Sequence, residues 1–177
     1  MKRLLVLLIA CIALAGTAQA QKFGYVNTEY ILSKMPEYQK AQQEISVISE
    51  QWQKEIQEMY KEIEAKYREL QAEEVLLTKA KKEERMIEIR EMEQEVKEYQ
   101  KKVFGFEGLF FLKKKELIKP VQDLVFESVE TVAKKNRLQI VFDKSGDLVM
   151  IYTDPIHDYT DFVLEELGLG DQNDVIK

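Results

Sequence analysis

The sequence predicts an α+β fold, mostly α, in which a long antiparallel helical hairpin (a coiled-coil arm) projects from a small β-rich body that oligomerises. Three observations carry this prediction. Residues 36–119 contain no proline after Pro36 and no glycine before Gly105, and they thread sparse apolar positions through nearly continuous charge. Long helix is the structure that accommodates such a stretch. Its apolar positions then follow two different rhythms, which implies two helical arms. Short β-rich runs flank the arms, and together they make a core too small to be stable without help.

Met1–Ala20 reads as a leader outside the fold. Lys2 and Arg3 form its basic start, Leu4–Ala15 its apolar run, and Ala18-Gln19-Ala20 a cleavage site between small residues. The run of 12 residues is shorter than the roughly 20 that span a bilayer. Cleavage after Ala20 and export are therefore expected. Leu8-Ile9-Ala10-Cys11 resembles a lipidation signal, but only seven apolar residues precede Cys11 and more apolar sequence follows it. Cleavage would remove the single cysteine, leaving no disulfide. It would also leave 24 basic against 32 acidic residues, a net charge of −8. That balance argues against nucleic acid and against stable membrane insertion or a basic membrane-surface patch. One histidine and no Cys/His cluster argue against a transition-metal site, and no glycine-rich phosphate loop is present.

Lys22–Val26 is a strand signal, and Asn27 or Thr28 can cap a brief helix through Ile31 and Leu32. Pro36 opens the first arm at its first turn. Ile45, Ile48, Trp52, Ile56, Met59, Ile63, Tyr67 and Leu70 follow an eleven-residue repeat, which favours a nearly straight helix. Glu50/Lys54, Glu62/Lys66 and Glu64/Arg68 stand four apart in the favourable acid-first order. Val75-Leu76-Leu77 breaks the rhythm, and Thr78 can cap the returning helix. A turn near 78 gives arms of 42 and 41 residues, each about 60 Å long. A single rod without the turn is the competing arrangement.

In the second arm, Ile89, Met92, Val96, Tyr99, Val103, Phe106 and Phe110 form a heptad seam expected to continue to Lys119. Gly105 and Gly108 interrupt it as a bend or a hinge. Pro120 then restarts a helix over Val121–Asn136. Leu138–Asp143 and Leu148–Tyr152, separated by a turn containing Gly146, read as a β-hairpin. Asp158 caps a last helix that ends at Gly168, and residues 171–177 form a polar tail. The body thus comprises residues 21–35 and 120–170, and the arm residues 36–119. Phe23, Tyr25, Val26, Ile140, Phe142, Val149 and Ile151 are the candidates for its oligomerisation surface, since joining strands of several subunits removes exposed edges.

This order of elements resembles the Skp (OmpH-like) family of periplasmic chaperones over essentially the whole mature chain. The resemblance rests on Gly24-Tyr25-Val26-Asn27, Met35-Pro36-Glu37-Tyr38, Leu117-Ile118-Lys119-Pro120-Val121, Val141-Phe142-Asp143 and Asp158-Tyr159-Thr160-Asp161-Phe162-Val163-Leu164. It implies a homotrimer in the periplasm of a Gram-negative-type bacterium, with three hairpins hanging from a strand-built body around a cavity. It further implies an ATP-independent holdase, without cofactor, whose clients are unfolded outer-membrane proteins.

Such a holdase needs many weak contacts and no catalytic residue, and flexible methionine and aromatic side chains suit promiscuous binding. Met59, Tyr60, Met86, Met92, Tyr99, Phe106 and Phe110 are the candidate client contacts. Packing between the arms is the competing role for each. The best-known members of the family have strongly basic arms, whereas residues 36–119 here hold 17 basic and 19 acidic side chains. Lipopolysaccharide binding is therefore not carried over. A periplasmic coiled-coil spacer or adaptor is the alternative function. An enzyme is not expected, because no nucleophile or second base accompanies His157, the sole histidine.

Overall fold

The computed structural model describes residues 22–146 and 149–170. The expected leader with Cys11 and Ala20, the strand residue Leu148 and the tail at 171–177 lie outside them. In chain order the elements are β1 (Phe23–Val26), α1 (Thr28–Lys34), α2 (Pro36–Glu73), α3 (Lys79–Phe104), α4 (Leu109–Asn136), β2 (Ile140–Asp143), a 3-10 turn (Pro155–His157) and α5 (Thr160–Glu166). The chain is mostly helical with one small sheet. It divides into two compact units, residues 32–124 and the remainder.

In the 32–124 unit, α2 and α3 form a hairpin. Pro36 occupies the first turn of α2, where its missing N–H costs nothing. The Thr78 hydroxyl accepts from the Lys81 amide and caps α3. Ile56 and Ile63 of α2 bury against Ile89 and Val96 of α3, with Met59, Leu70, Met92, Tyr99 and Phe104 packed around them. Near-complete burial of Ile89 and Val96 stabilises the pair by roughly 1.5–3 kcal/mol for each side chain. A second cluster joins Ala41 and Ile45 of α2 to Ile118 of α4, flanked by Tyr38, Phe110 and Leu117.

The second arm departs from its expected form in two places. It is not one helix to Lys119, because α3 ends at Phe104 and α4 begins at Leu109. Gly105 and Gly108 make this elbow possible. A Cβ at Gly105 would lie 2.2 Å from the Lys101 carbonyl oxygen, and one at Gly108 would lie 2.5 Å from that of Val103. Glu107 takes the left-handed conformation between them, with φ 53°. The heptad seam is cut after Val103, so Phe106 leaves it and is 98% exposed. Phe110 rejoins the packing, with its ring 5.7 Å from that of Phe104.

Nor does Pro120 start a helix; α4 runs through it. Ile118, Val121, Val125, Ser128 and Val132 are all buried, in steps of three and four that hold one helical face in register across the proline. Their burial offsets a proline cost of about 3 kcal/mol.

In the other unit, β1 and β2 pair in parallel, with Phe23 opposite Ile140 and Tyr25 opposite Phe142. The expected hairpin between β2 and residues 148–152 is absent among the described residues, and Val149–Tyr152 lie in no strand. The Asp143 carboxylate accepts from the Thr28 hydroxyl (2.6 Å) and amide (3.2 Å), and from the Ser145 amide (3.0 Å) and hydroxyl (2.7 Å). The end of β2 is thereby fastened to the start of α1.

Asn27 is the residue that caps α1, accepting from the Tyr30 amide (3.0 Å). Gly24 admits the Tyr159 ring, since a Cβ there would stand 2.5 Å from it. Asp158 accepts from the Thr160 amide (2.9 Å) at the start of α5. Gly168, with φ 74°, closes the helix through Leu169 N–H to the Leu164 carbonyl (2.8 Å).

Candidate functional site

The hairpin is held by packing and by polar ties between its arms. Tyr67 Oη donates to Glu93 (3.0 Å), Tyr99 Oη donates to Glu55, and Lys66 pairs with Glu88 (3.1 Å). Of the three pairs expected along α2, Glu64–Arg68 forms, while Lys66 turns to the other arm. The hydrogen bond from Tyr99, followed by that from Gln51, lowers the Glu55 pKa. Reciprocally, Glu55 raises that of Tyr99, and Glu93 raises that of Tyr67. These ties fix the register of the arms.

The seven candidate contact residues separate into three environments. Met59, Met92 and Tyr99 are half-buried against the hairpin core, and Phe110 against the second cluster. Met86 is half-buried as well. Tyr60 is exposed on α2, and Phe106 stands almost wholly in solvent at the elbow. Other exposed apolar groups lie outside these seven. Phe111 and Leu112 are exposed beside the elbow, and Val75 and Leu76 at the turn between the arms. For the first two, the signal was present: six large apolar residues in nine exceed what one seam can bury. For Val75 and Leu76, the break in the eleven-residue rhythm was the available signal.

In the body, Tyr25 and Val26 are buried, Phe23, Ile140 and Phe142 are exposed in part, and Val149 and Ile151 are 85% and 98% exposed. A cavity of about 320 Å³ opens between Phe23, Tyr25, Phe142, Met150, Tyr152 and His157. The His157 ring lies 4.7 Å from that of Phe23. Burial works to raise the Asp143 pKa, but hydrogen bonds from Thr28 and Ser145 outweigh it and hold the carboxylate ionised. Among the described residues no cluster of His, Cys, Asp or Glu could hold a metal ion, and no helix is long and apolar enough to cross a membrane.

A family model described as outer membrane protein (OmpH-like) matches residues 22–167. The chain belongs to the OmpH-like family. An uncharacterised protein of Aquifex aeolicus (strain VF5) is 33% identical over 154 residues, covering 87% of this OmpH-like chain and 90% of the relative. Among solved structures, a candidate outer membrane chaperone (OmpH-like) from Caulobacter crescentus CB15 superposes with a TM-score of 0.70. The superposition covers 88% of this chain and 90% of the other at 11% identity, which establishes a shared fold.

Proposed function

We propose that this OmpH-like chain is an ATP-independent holdase that binds unfolded outer-membrane proteins and keeps them from aggregating. The observation that carries the reading is the conjunction of OmpH-like membership with a long charged arm on which several large apolar side chains, Phe106 foremost, remain in solvent. Exposed apolar surface on an otherwise charged arm is what weak, non-directional capture requires. The working form is a homotrimer in the periplasm, reached by export with removal of residues 1–20. Residues 36–119 act as the client-holding arm, and residues 21–35 and 120–170 as the assembling body. The exposure of Ile140, Phe142, Val149 and Ile151, together with a β2 edge that pairs with no further strand among the described residues, supports assembly through the body.

Light scattering of the mature protein, with and without a urea-unfolded outer-membrane barrel protein, tests the reading. A trimer that takes up one client into a soluble, defined complex without ATP is expected. A dimer or rod that ignores the unfolded client would overturn it in favour of a periplasmic spacer or adaptor.

A further inference from the structure

His157, the only histidine in the sequence, lines the apolar cavity of the body. Its ring lies 4.7 Å from that of Phe23, tilted by 34°. Phe23 stands opposite Ile140 in the sheet register and Tyr25 opposite Phe142, so these four side chains share one sheet face. Phe23 and Ile140 are both about half exposed, and Ile151, between the lining residues Met150 and Tyr152, is almost wholly exposed. Beside this face the β2 edge pairs with no further strand among the described residues. A second copy of the chain that pairs with this edge would also cover the cavity, and with it His157.

The surroundings of His157 suit a neutral ring. The titratable groups near it are Tyr25, Tyr152 and Asp154 in the cavity lining, Asp158 next in the chain, and Lys144. The Asp154 carboxylate accepts from the Ile156 amide (3.1 Å), and that of Asp158 accepts from the Thr160 amide (2.9 Å). Among the described residues His157 forms no ion pair. Lys144 Nζ already stands over the Tyr25 ring, 5.5 Å from its centre. A protonated His157 would therefore be a second cation against the same strand, with no carboxylate bound to it. Covering a neutral imidazole among aromatic rings costs little, whereas covering an unpaired cation carries its full desolvation cost.

We propose that assembly of the body is under proton control through His157. The neutral ring lets a second copy seat over the cavity, and the protonated ring opposes it. The proposal rests on the reading that the body assembles, and it adds the condition under which it does so. The sign follows from linkage. Assembly favours the form with fewer protons, so it is complete at neutral pH and weakens as pH falls through the range where imidazole ordinarily titrates.

Light scattering of the mature chain over a concentration series at about pH 7.5 and about pH 5.5 tests this. The comparison is His157→Gln, which keeps a polar side chain without the charge. The α-amino group, which also titrates near this range, is common to both chains. Each wild-type subunit must release one proton to assemble. The association constant of a trimer should thus fall by up to about a thousandfold per pH unit below roughly 6.5. His157→Gln should keep the same mass at both pH values. An equal response of wild type and variant, or tighter wild-type assembly at the lower pH, overturns the proton control and leaves assembly through the body standing. A wild type that stays monomeric at the higher pH at every concentration overturns the assembly reading with it. If His157→Gln fails to fold or assemble, proton NMR of the single histidine in the wild type decides. The imidazole must take up its proton at lower pH in concentrated than in dilute protein, and protonation at one pH throughout overturns the proposal.

Discussion

The Tyr99 hydroxyl of α3 donates a hydrogen bond to the Glu55 carboxylate of α2, tying the two arms beside the Ile56–Val96 packing. Glu55 titrates below its ordinary value of 4.5, so its contribution is complete above that value and is lost as pH falls through the lowered one. Tyr99 titrates above 10.0, so its contribution is complete below that value and is lost as pH rises through the raised one. Tyr99→Phe removes the second and the larger cause of the first, leaving only the Gln51 hydrogen bond to Glu55. The variant should show a lower urea midpoint at neutral pH, and a flatter dependence of that midpoint on pH in the acid and alkaline windows. Urea unfolding followed by circular dichroism across pH measures this.

Ile89 is buried at the centre of the hairpin, whereas Ile87, two residues earlier on the same helix, is half exposed. Ile89→Ala should therefore cost about 3 kcal/mol through lost burial and a residual cavity. Ile87→Ala should remain within about 0.5 kcal/mol. Paired denaturant titrations distinguish them, and equal effects would contradict the seam.

The elbow admits no side chain at its first residue. In Gly105→Ala the new methyl meets the Lys101 carbonyl oxygen at 2.2 Å, so the end of α3 must move. A cost of about 2 kcal/mol or more is expected. Because Phe104 packs on Trp52, the emission of this sole tryptophan should shift in parallel with the fall in melting temperature.

Arg137 ends α4 in the left-handed conformation, with φ 57°, and the Leu138 amide donates back to the Ala133 carbonyl (2.9 Å). This geometry favours glycine. Arg137→Gly should stabilise the chain by about 0.5–1 kcal/mol, the relief of backbone strain exceeding the entropy gained by the unfolded state. A lower urea midpoint would show that Arg137 contributes through its side chain.

What was legible in the sequence was local or periodic. Asn27, Thr78 and Asp158 are short polar residues placed before helical patterns, and each accepts a backbone amide at a helix start. Ile56, Ile63, Ile89 and Val96 follow from helical spacing alone. The misread elements depend on partners distant in sequence. Pro120 lies within a helix because the residues on either side of it are buried on one face. Phe106 is different: it leaves its heptad at the interruption that Gly105 and Gly108 signal, where each glycine closes on a carbonyl only four or five residues back. Among the described residues no strand follows Gly146, and the end of β2 is instead tied by Asp143 to Thr28, which lies 115 residues earlier.

The sequence by itself determined that this chain is mostly helix and that it resembles the OmpH-like family, and it offered Thr78 as a cap while leaving a single rod open, a choice that the packing of α2 on α3 decided. Helix formation, capping and amphipathic spacing are properties of neighbouring residues, and they survive in one dimension. Tertiary structure alone decided that β1 and β2 pair in parallel, that α4 passes through Pro120, and that Phe106 stands in solvent between α3 and α4. Each of these is a competition between burial and backbone cost, settled by residues that the chain brings together only when it folds.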